Sequence, residues 1–533
     1  MQADLVLYNG QVYTMGAATL RARAVAVAGN RVLAVGDDGA MRTLLAPGGR
    51  AIDLRGRAVV PGFTDSHVHF MSYGLSLKEI DLAEVPTLEE ALARVAARAA
   101  RTPAGQWLTG RGWDHSLWAG GDFPSRHDLD RVAPEHPAWL RRKCGHAGWA
   151  NTRALELAGI TAETPDPPGG AIDRDPATGQ PTGIFKERAM DLLFRLFQDP
   201  PVEEAAEAIK AATADAHKQG LVGVHTMEGG TAFRAFQKLR ADGALKLRVL
   251  MQIPEENLGA AVQAGLQSGF GDERLRIGGV KAFADGALGA RTAYMIEPFE
   301  GEPDNYGIPV ADADHLRELV RKASRAGIAA FVHAIGDRAN REVLDAIEAS
   351  HRAGEGLHLR HRIEHTQVLH PDDIPRLAEL GVIASMQPIH ATQDMLLADA
   401  HWGARSAGAY AFRRLLDTGT VLAFGSDSPV EDLNVMKGLH AAVTRRRADG
   451  SPGPEGWYPE QRLTVAEAVH AYTAAAAYAS GEEAIKGTLS PGKLADLVVL
   501  SQDIFTIDPM AILETEVVAT MFDGEFVYTR GGV

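Results

Sequence analysis

The sequence predicts an α/β protein: a (β/α)8 TIM barrel with a small β-sandwich domain built from both chain termini, and a long insertion after the first barrel strand. Three observations carry that prediction. Strand-like runs alternate with amphipathic helical stretches through the middle of the chain, the signature of a parallel sheet. Hairpin grammar appears at both ends. The chain of 533 residues also far exceeds the roughly 250 residues of a bare barrel.

At the N-terminal end, 5–8 runs through Asn9-Gly10 into 11–13, and 24–28 runs through Gly29-Asn30 into 32–35. Turn residues between short apolar runs mark β-hairpins. The far end repeats the pattern: 496–500 reads as a strand, and Met521-Phe522 and 526–528 flank Asp523-Gly524. Neither piece is long enough to bury a sturdy core alone. The economical solution is one composite β domain, residues 1–60 plus 485–533, beside a barrel over 61–484.

The barrel strands are expected at 63–69, 221–228, 245–253, 275–285, 328–335, 359–365, 381–387 and 420–427, with helical stretches such as 314–326 and 371–380 between them. The first connection is anomalous. From Phe70 to about Ala205 lie far more residues than one helix needs, and they include Trp107, Trp113, Trp118, Trp139 and Trp149. A long insertion at the C-terminal mouth of a barrel is expected to form a lid or substrate wall.

Composition narrows the function. At 45% hydrophobic and 23% charged, the chain can bury a large core, which excludes global disorder. A net charge of -15, from 54 Lys+Arg against 69 Asp+Glu, argues against a general phosphate-backbone binder. The single cysteine, Cys144, excludes an intrachain disulfide and a Cys-rich zinc module. There is no basic n-region ahead of an apolar run and no apolar run of ~18 residues. The expectation is a soluble cytoplasmic protein acting on a small molecule, with neither nucleic acid nor membrane as partner.

The chemistry lies among the 19 histidines. The first strand ends in Asp65-Ser66-His67-Val68-His69, the fourth holds Lys281, the fifth His333, the sixth ends at Glu364-His365 and the eighth at Gly425-Ser426-Asp427. Strand side chains alternate, so His67 and His69 share a face. Strand C-termini gather where barrel enzymes keep their active sites. Four imidazoles, a carboxylate and a lysine then converge from five strands. This donor set suits Zn²⁺, and also Mn²⁺, Fe²⁺ or Ni²⁺. Taken singly each signal is weak: an isolated H-x-H is usually surface or core, Asp427 could cap a helix, and Lys281 could pair with Asp285. The ordered set is hard to obtain by chance.

That order resembles the amidohydrolase superfamily. PGFTDSHVHF (61–70) is similar to its first-strand signature, and GTLSPGKLADLVVL (487–500) to its return into the small β domain. GHAGWANTRAL (145–155), GGAIDRDPATGQPTGIFKE (169–187), VKAFADGALGART (280–292), HAIGDRAN (333–340), RIEH (362–365) and FGSDSPVEDLN (424–434) resemble the YtcJ-like branch, amidohydrolase family 3. The resemblance implies that His67, His69 and Asp427 hold one divalent metal and that His333 and His365 hold a second. Lys281, carboxylated by CO₂, would bridge them. A mononuclear site with an unmodified, ion-paired Lys281 stays open, so the expected cofactor is zinc or a similar ion, one or two per chain. Many relatives are dimers, so a homodimer is implied.

A metal-bound water, ionised near neutral pH, would attack a polarised carbonyl. Asp427 would take its proton and later deliver it to the leaving nitrogen. The expected activity is hydrolysis of a C–N bond in an N-acyl, N-formyl or cyclic amide; members similar to this branch include N-substituted formamide deformylases. An esterase, lactonase or carbamate hydrolase on the same site is the alternative. So is a non-hydrolytic decarboxylase or isomerase, or a binding protein with a structural metal.

Further candidates for substrate contact are His225 at the end of the second strand, His146 and Asn151 in the insertion, Trp113 and Asp114, Arg291 with Asp285 after the fourth strand, and His390 after the seventh. Core packing competes with this role for His225, Trp113 and Asp114. His217, His358, His361, His370, His401 and His470 read as structural or solvent-exposed.

Overall fold

Eight parallel strands form the central sheet: β1 (Phe63–Val68), β2 (Leu221–Thr226), β3 (Arg248–Pro254), β4 (Leu275–Phe283), β5 (Ala329–Ala334), β6 (Arg362–His365), β7 (Ile383–Met386) and β8 (Leu422–Phe424). Each pairs with its neighbour in chain order, as expected. This is a computed structural model, and it describes residues 2–531 other than Thr19, Cys144, His146, Pro168, Gly169, Gln198 and Asp199. Cys144 and the candidate His146 therefore lie outside the described residues.

The strands are shorter than the apolar runs suggest, most clearly at β8. There Gly425, Ser426 and Asp427 leave the strand to close the barrel against β1. Asp427 N donates to His67 O at 2.7 Å, and His69 N to Ser428 O at 2.9 Å. The buried Asp65 carboxylate accepts from Ser426 N at 3.1 Å and Ser426 Oγ at 2.6 Å. Burial lifts Asp65 to about 6 even against those bonds. Gly425 is required here, because a Cβ would stand 2.5 Å from His67 N.

Helices cover the barrel for the reasons their sequences suggest. Ala313–Arg325, between β4 and β5, is capped by Asp312, whose side chain accepts from His315 N, and buries Leu316, Leu319, Val320 and Ala323 along one face. That is an N-cap followed by an apolar stripe at helical spacing.

Both ends of the chain build two further sheets. One orders Arg31–Gly36, Ala24–Ala28, Ala3–Tyr8 and Leu45–Asp53; the other orders Glu525–Thr529, Val517–Phe522, Leu497–Leu500, Ala58–Pro61, Gln11–Tyr13 and Arg21–Ala22. Leu5, Leu7, Val25, Val59, Leu497, Val499 and Met521 share one core. A buried ion pair ties this domain to the barrel: Arg248 on β3 donates from Nε and Nη2 to Asp496 at 2.6 and 3.0 Å, and its guanidinium lies 4.8 Å from the Phe522 ring centre.

Met71–Ala208 forms a second compact unit. Its sheet orders Gly170–Arg174, Pro181–Glu187, Ala147–Ala150, Ala138–Arg142, Leu108–Trp113 and Ile80–Asp81. The tryptophans serve this unit's interior. Trp113, Trp118 and Trp149 pack with Val95, Leu108, Leu140 and Ile184, Trp139 packs with Leu155 and Phe185, and Trp107 lies 4.7 Å from Phe197. Trp113 is fully buried and its Nε1 donates to Leu140 O at 2.8 Å. The aromatic-pocket reading of Trp113 is thereby corrected: a self-sufficient sheet needs its largest apolar groups inside. Trp113→Ala is expected to destabilise the unit by about 3–5 kcal/mol, read as a fall in the denaturant midpoint of its far-UV circular dichroism; an unchanged midpoint would contradict this packing role.

Candidate metal centre

The predicted donors meet at the C-terminal ends of the strands. His67 Nε2 and His69 Nε2 each lie 3.4 Å from Asp427 Oδ1. One ligand atom from each of His67, His365 and Asp427 falls within 4.8 Å of the others. The rings of His365 and His333 are 4.6 Å apart. Strand alternation alone does not place His365 beside Glu364. His365 can turn inward because its φ is 72°, and Asp427 is likewise held at φ 58°. Positive φ in a non-glycine residue is unfavourable and recurs at functional sites.

Each imidazole is oriented from behind. His67 Nδ1 donates to Glu364 Oε2 at 2.6 Å, and His365 Nδ1 to Gln387 Oε1 at 2.8 Å, so in the neutral rings both Nε2 lone pairs face the site. His333 Nε2 lies 2.9 Å from Gly286 O; donation there leaves Nδ1 as the acceptor. Glu364 is itself clamped by Arg362, Nε to Oε1 at 2.9 Å, with neither side chain accessible. Burial works against the Glu364 carboxylate, yet Arg362 and His67 hold its pKa well below the ordinary carboxylate range.

This set fits a divalent cation. Asp427 Oδ1 is buried without a hydrogen-bond partner, as is Lys281 Nζ. Neutral His67 would aim its Nε2 lone pair at Asp427 Oδ1, an arrangement that is repulsive until a cation lies between them. A proton on His67 would relieve the same repulsion: burial disfavours imidazolium, but Asp427 and Glu364 raise the basicity of His67 above its ordinary value. Metal and proton compete for such a site. His333 is driven the other way, down to about 3, by burial and by Lys281, which keeps its ring neutral.

Lys281 does not form the ion pair with Asp285 that was an open expectation. Burial lowers its Nζ to about 8 despite Glu364 and Asp427, and it stands 4.2 Å over the Phe283 ring. Asp285 instead accepts backbone N–H groups from Tyr294, Ile335 and Gly336 at 2.8, 3.0 and 2.8 Å, bracing the turn below His333. Nor does Asp285 meet Arg291, which is half-exposed and pairs with Glu302 at 2.9 Å.

The other candidates divide. His390, in the first turn of the helix Pro388–Trp402, belongs to the cluster: its Nε2 is 3.4 Å from Asp427 Oδ2 and its Nδ1 3.7 Å from Glu431 Oε1. Burial is outweighed by those carboxylates, which raise it to about 10. Asp427 is the mirror case: burial raises it, but His390, His67 and His69 hold it well below the carboxylate range. His225 is corrected to an interior residue, fully buried and accepting from Arg362 Nη1 at 2.9 Å. Asp114 accepts from Arg142 at 2.6 Å and Asn151 caps the helix Thr152–Ala158; both belong to the second unit. Arg362, Glu364, Gln387 and Glu431 were not singled out from sequence. Only Arg362 and Glu364 carried a signal: they stand two apart in RIEH, on the face that alternation assigns to the interior.

A profile of the Amidohydrolase family matches residues 50–528. The chain belongs to the amidohydrolase family. Its curated relatives include the Arabidopsis thaliana protein LONG AFTER FAR-RED 3, 35% identical over 99% of this chain and 92% of the relative. YtcJ of Bacillus subtilis is 34% identical over 98% and 99%. The N-substituted formamide deformylase of Arthrobacter pascens is 31% identical over 99% of both. Among solved structures, an uncharacterized metal-dependent hydrolase from Pyrococcus horikoshii OT3 superposes with a TM-score of 0.79 at 29% identity, covering 95% of this chain and 99% of that one. The amidohydrolase barrel expected from the motifs is thus borne out. Among the described residues, no helix is long and apolar enough to cross a membrane.

Proposed function

We propose that this amidohydrolase cleaves the C–N bond of a small N-acyl or N-formyl amide with the help of bound divalent metal, most simply Zn²⁺. The observation that carries the reading is the unsatisfied Asp427 Oδ1 facing the Nε2 atoms of His67 and His69. Similarity to an N-substituted formamide deformylase over the whole chain supports the bond type. In this reading His67, His69 and Asp427 would hold one ion and His333 and His365 a second. Lys281, as its carbamate, would help to hold both.

When bound, such ions supply Lewis acidity, acidifying water and polarising a carbonyl oxygen. The remaining work falls to side chains. Asp427 removes the proton of the attacking water and returns it to the departing nitrogen. His390 holds Oδ2 of that carboxylate, which leaves Oδ1 turned toward the histidines. Glu364 fixes the tautomer of His67, and Arg362 keeps Glu364 charged.

Metal removal tests this directly. Carefully desalted protein is expected to carry about two ions per chain, as in two-metal hydrolases, by inductively coupled plasma mass spectrometry. Hydrolysis of N-formyl and N-acyl amines should disappear on chelation and return on adding Zn²⁺, Mn²⁺ or Ni²⁺. One ion per chain would move Lys281 out of the ligand set. Activity on esters but not amides would replace the bond assignment, and activity indifferent to chelation would overturn the proposal.

A further inference from the structure

We infer that Phe283 is the specificity-determining contact for the acyl side of the substrate, and that this side is apolar, so that amides with an aliphatic or aromatic acyl group are preferred to formamides. The inference rests on the proposed role of Asp427 as the acid that protonates the leaving nitrogen.

β4 is buried from Ile277 through Ala282 and then ends on Phe283, which is 46% exposed. Phe283 stands two residues beyond Lys281, so both project from the same face of the strand. One side of its ring is taken up: Lys281 Nζ lies 4.2 Å from the ring centre, and the ring of His333, its register partner on β5, lies 5.2 Å away. The rest is open. An exposed apolar side chain is by itself unremarkable. This one touches two groups of the candidate centre, and an apolar surface beside convergent polar groups is what ligand pockets present.

The opposite side of the mouth differs in kind. β8 and the residues after it contribute Asp427, faced by His390 and Glu431, and the exposed apolar residue that follows on this side, Val430, is much smaller than the Phe283 ring. In an eight-stranded barrel β4 and β8 lie four strands apart, across the mouth from each other. A carboxylate that protonates the leaving nitrogen requires that nitrogen to face β8. The other substituent of the trigonal carbonyl carbon then points away from β8, toward β4 and Phe283. A formamide has only hydrogen there and leaves the ring in water. A butyryl or benzoyl group covers it, and removing apolar surface from water favours the longer acyl group. Trp113, Trp118, Trp139 and Trp149, being interior to the insertion, do not supply this preference.

The test uses the metal-loaded full chain and four p-nitroanilides that share one amine: formyl, acetyl, butyryl and benzoyl. kcat/KM and metal content are measured for wild type, Phe283→Ala and Phe283→Leu. Wild type is expected to favour butyryl and benzoyl over formyl by about tenfold or more, the scale of a well-formed apolar contact. Phe283→Ala should flatten the series, and Phe283→Leu should lower the benzoyl-to-butyryl ratio severalfold. A wild-type optimum at the formyl compound would overturn the acyl-side assignment while leaving the amidase reading intact. So would equal slowing of all four by either variant. If Phe283→Ala loses metal, an unchanged ratio in metal-replete Phe283→Leu overturns it equally. No turnover of any anilide by metal-replete wild type would remove the amidase reading and this inference together.

Discussion

Asp427→Asn is expected to lower kcat by about 10²–10⁴, the usual contribution of a positioned general acid–base group, while far-UV circular dichroism stays close to wild type. The asparagine keeps the size of the side chain and one acceptor oxygen, so the seam between β8 and β1 can persist: it is made by backbone atoms, Asp427 N to His67 O and His69 N to Ser428 O, and by Asp65 with Ser426. What the amide cannot do is accept the proton of a water and return it. The carboxylate, together with Glu431, also raises the basicity of His390, so the substitution should lower it. Near-wild-type turnover in this variant would sink the proposed mechanism.

Lys281→Ala is the second large effect. The expected result is loss of bound metal together with loss of activity, each partly restored by bicarbonate with a short-chain carboxylic acid that can take the place of a bridging carbamate. The reasoning is electrostatic. An ordinary ammonium beside two cations is repelled, whereas a carbamate contributes two anionic oxygens. Burial has already lowered the Nζ of Lys281 to about 8 and left it without a hydrogen-bond partner. A neutral amine, the form that adds CO₂, is therefore accessible close to neutral pH. Metal content per chain and activity, each with and without the added acid, check the expectation. Full metal occupancy with full activity in Lys281→Ala would remove the bridging role.

Much of the architecture was legible because it depends on patterns local in the chain. Alternation put His67 and His69 on one face, and chain order put Lys281, His333, His365 and Asp427 on successive strand ends of a barrel. The two-ended β domain was legible in its hairpin punctuation, and the pairing of Leu497–Leu500 with Ala58–Pro61 realises it. The misreadings share one cause. Asp285 was offered as a partner for Lys281 or Arg291 on nearness in sequence, yet its carboxyl is taken by three backbone N–H groups from segments folded over it. Trp113 was offered as a pocket residue, with core packing as the competing reading, because a barrel insertion often forms a substrate wall. This insertion instead has a six-stranded sheet of its own to cover, and it buries Trp113.

The sequence by itself determined which residue types reach the mouth of the barrel, since side-chain alternation and strand order are properties of the chain alone. Only the tertiary structure decided how those residues are charged and aimed. Glu364 orients His67 from 297 positions away, and Gln387, just past the end of β7, orients His365. His365 and Asp427 turn inward through backbone angles that alternation does not anticipate. Whether Phe283 stands in solvent or in the core depends on what covers β4. Partners, protonation and exposure arise from contacts between segments distant in the chain, so they are set only when the barrel closes.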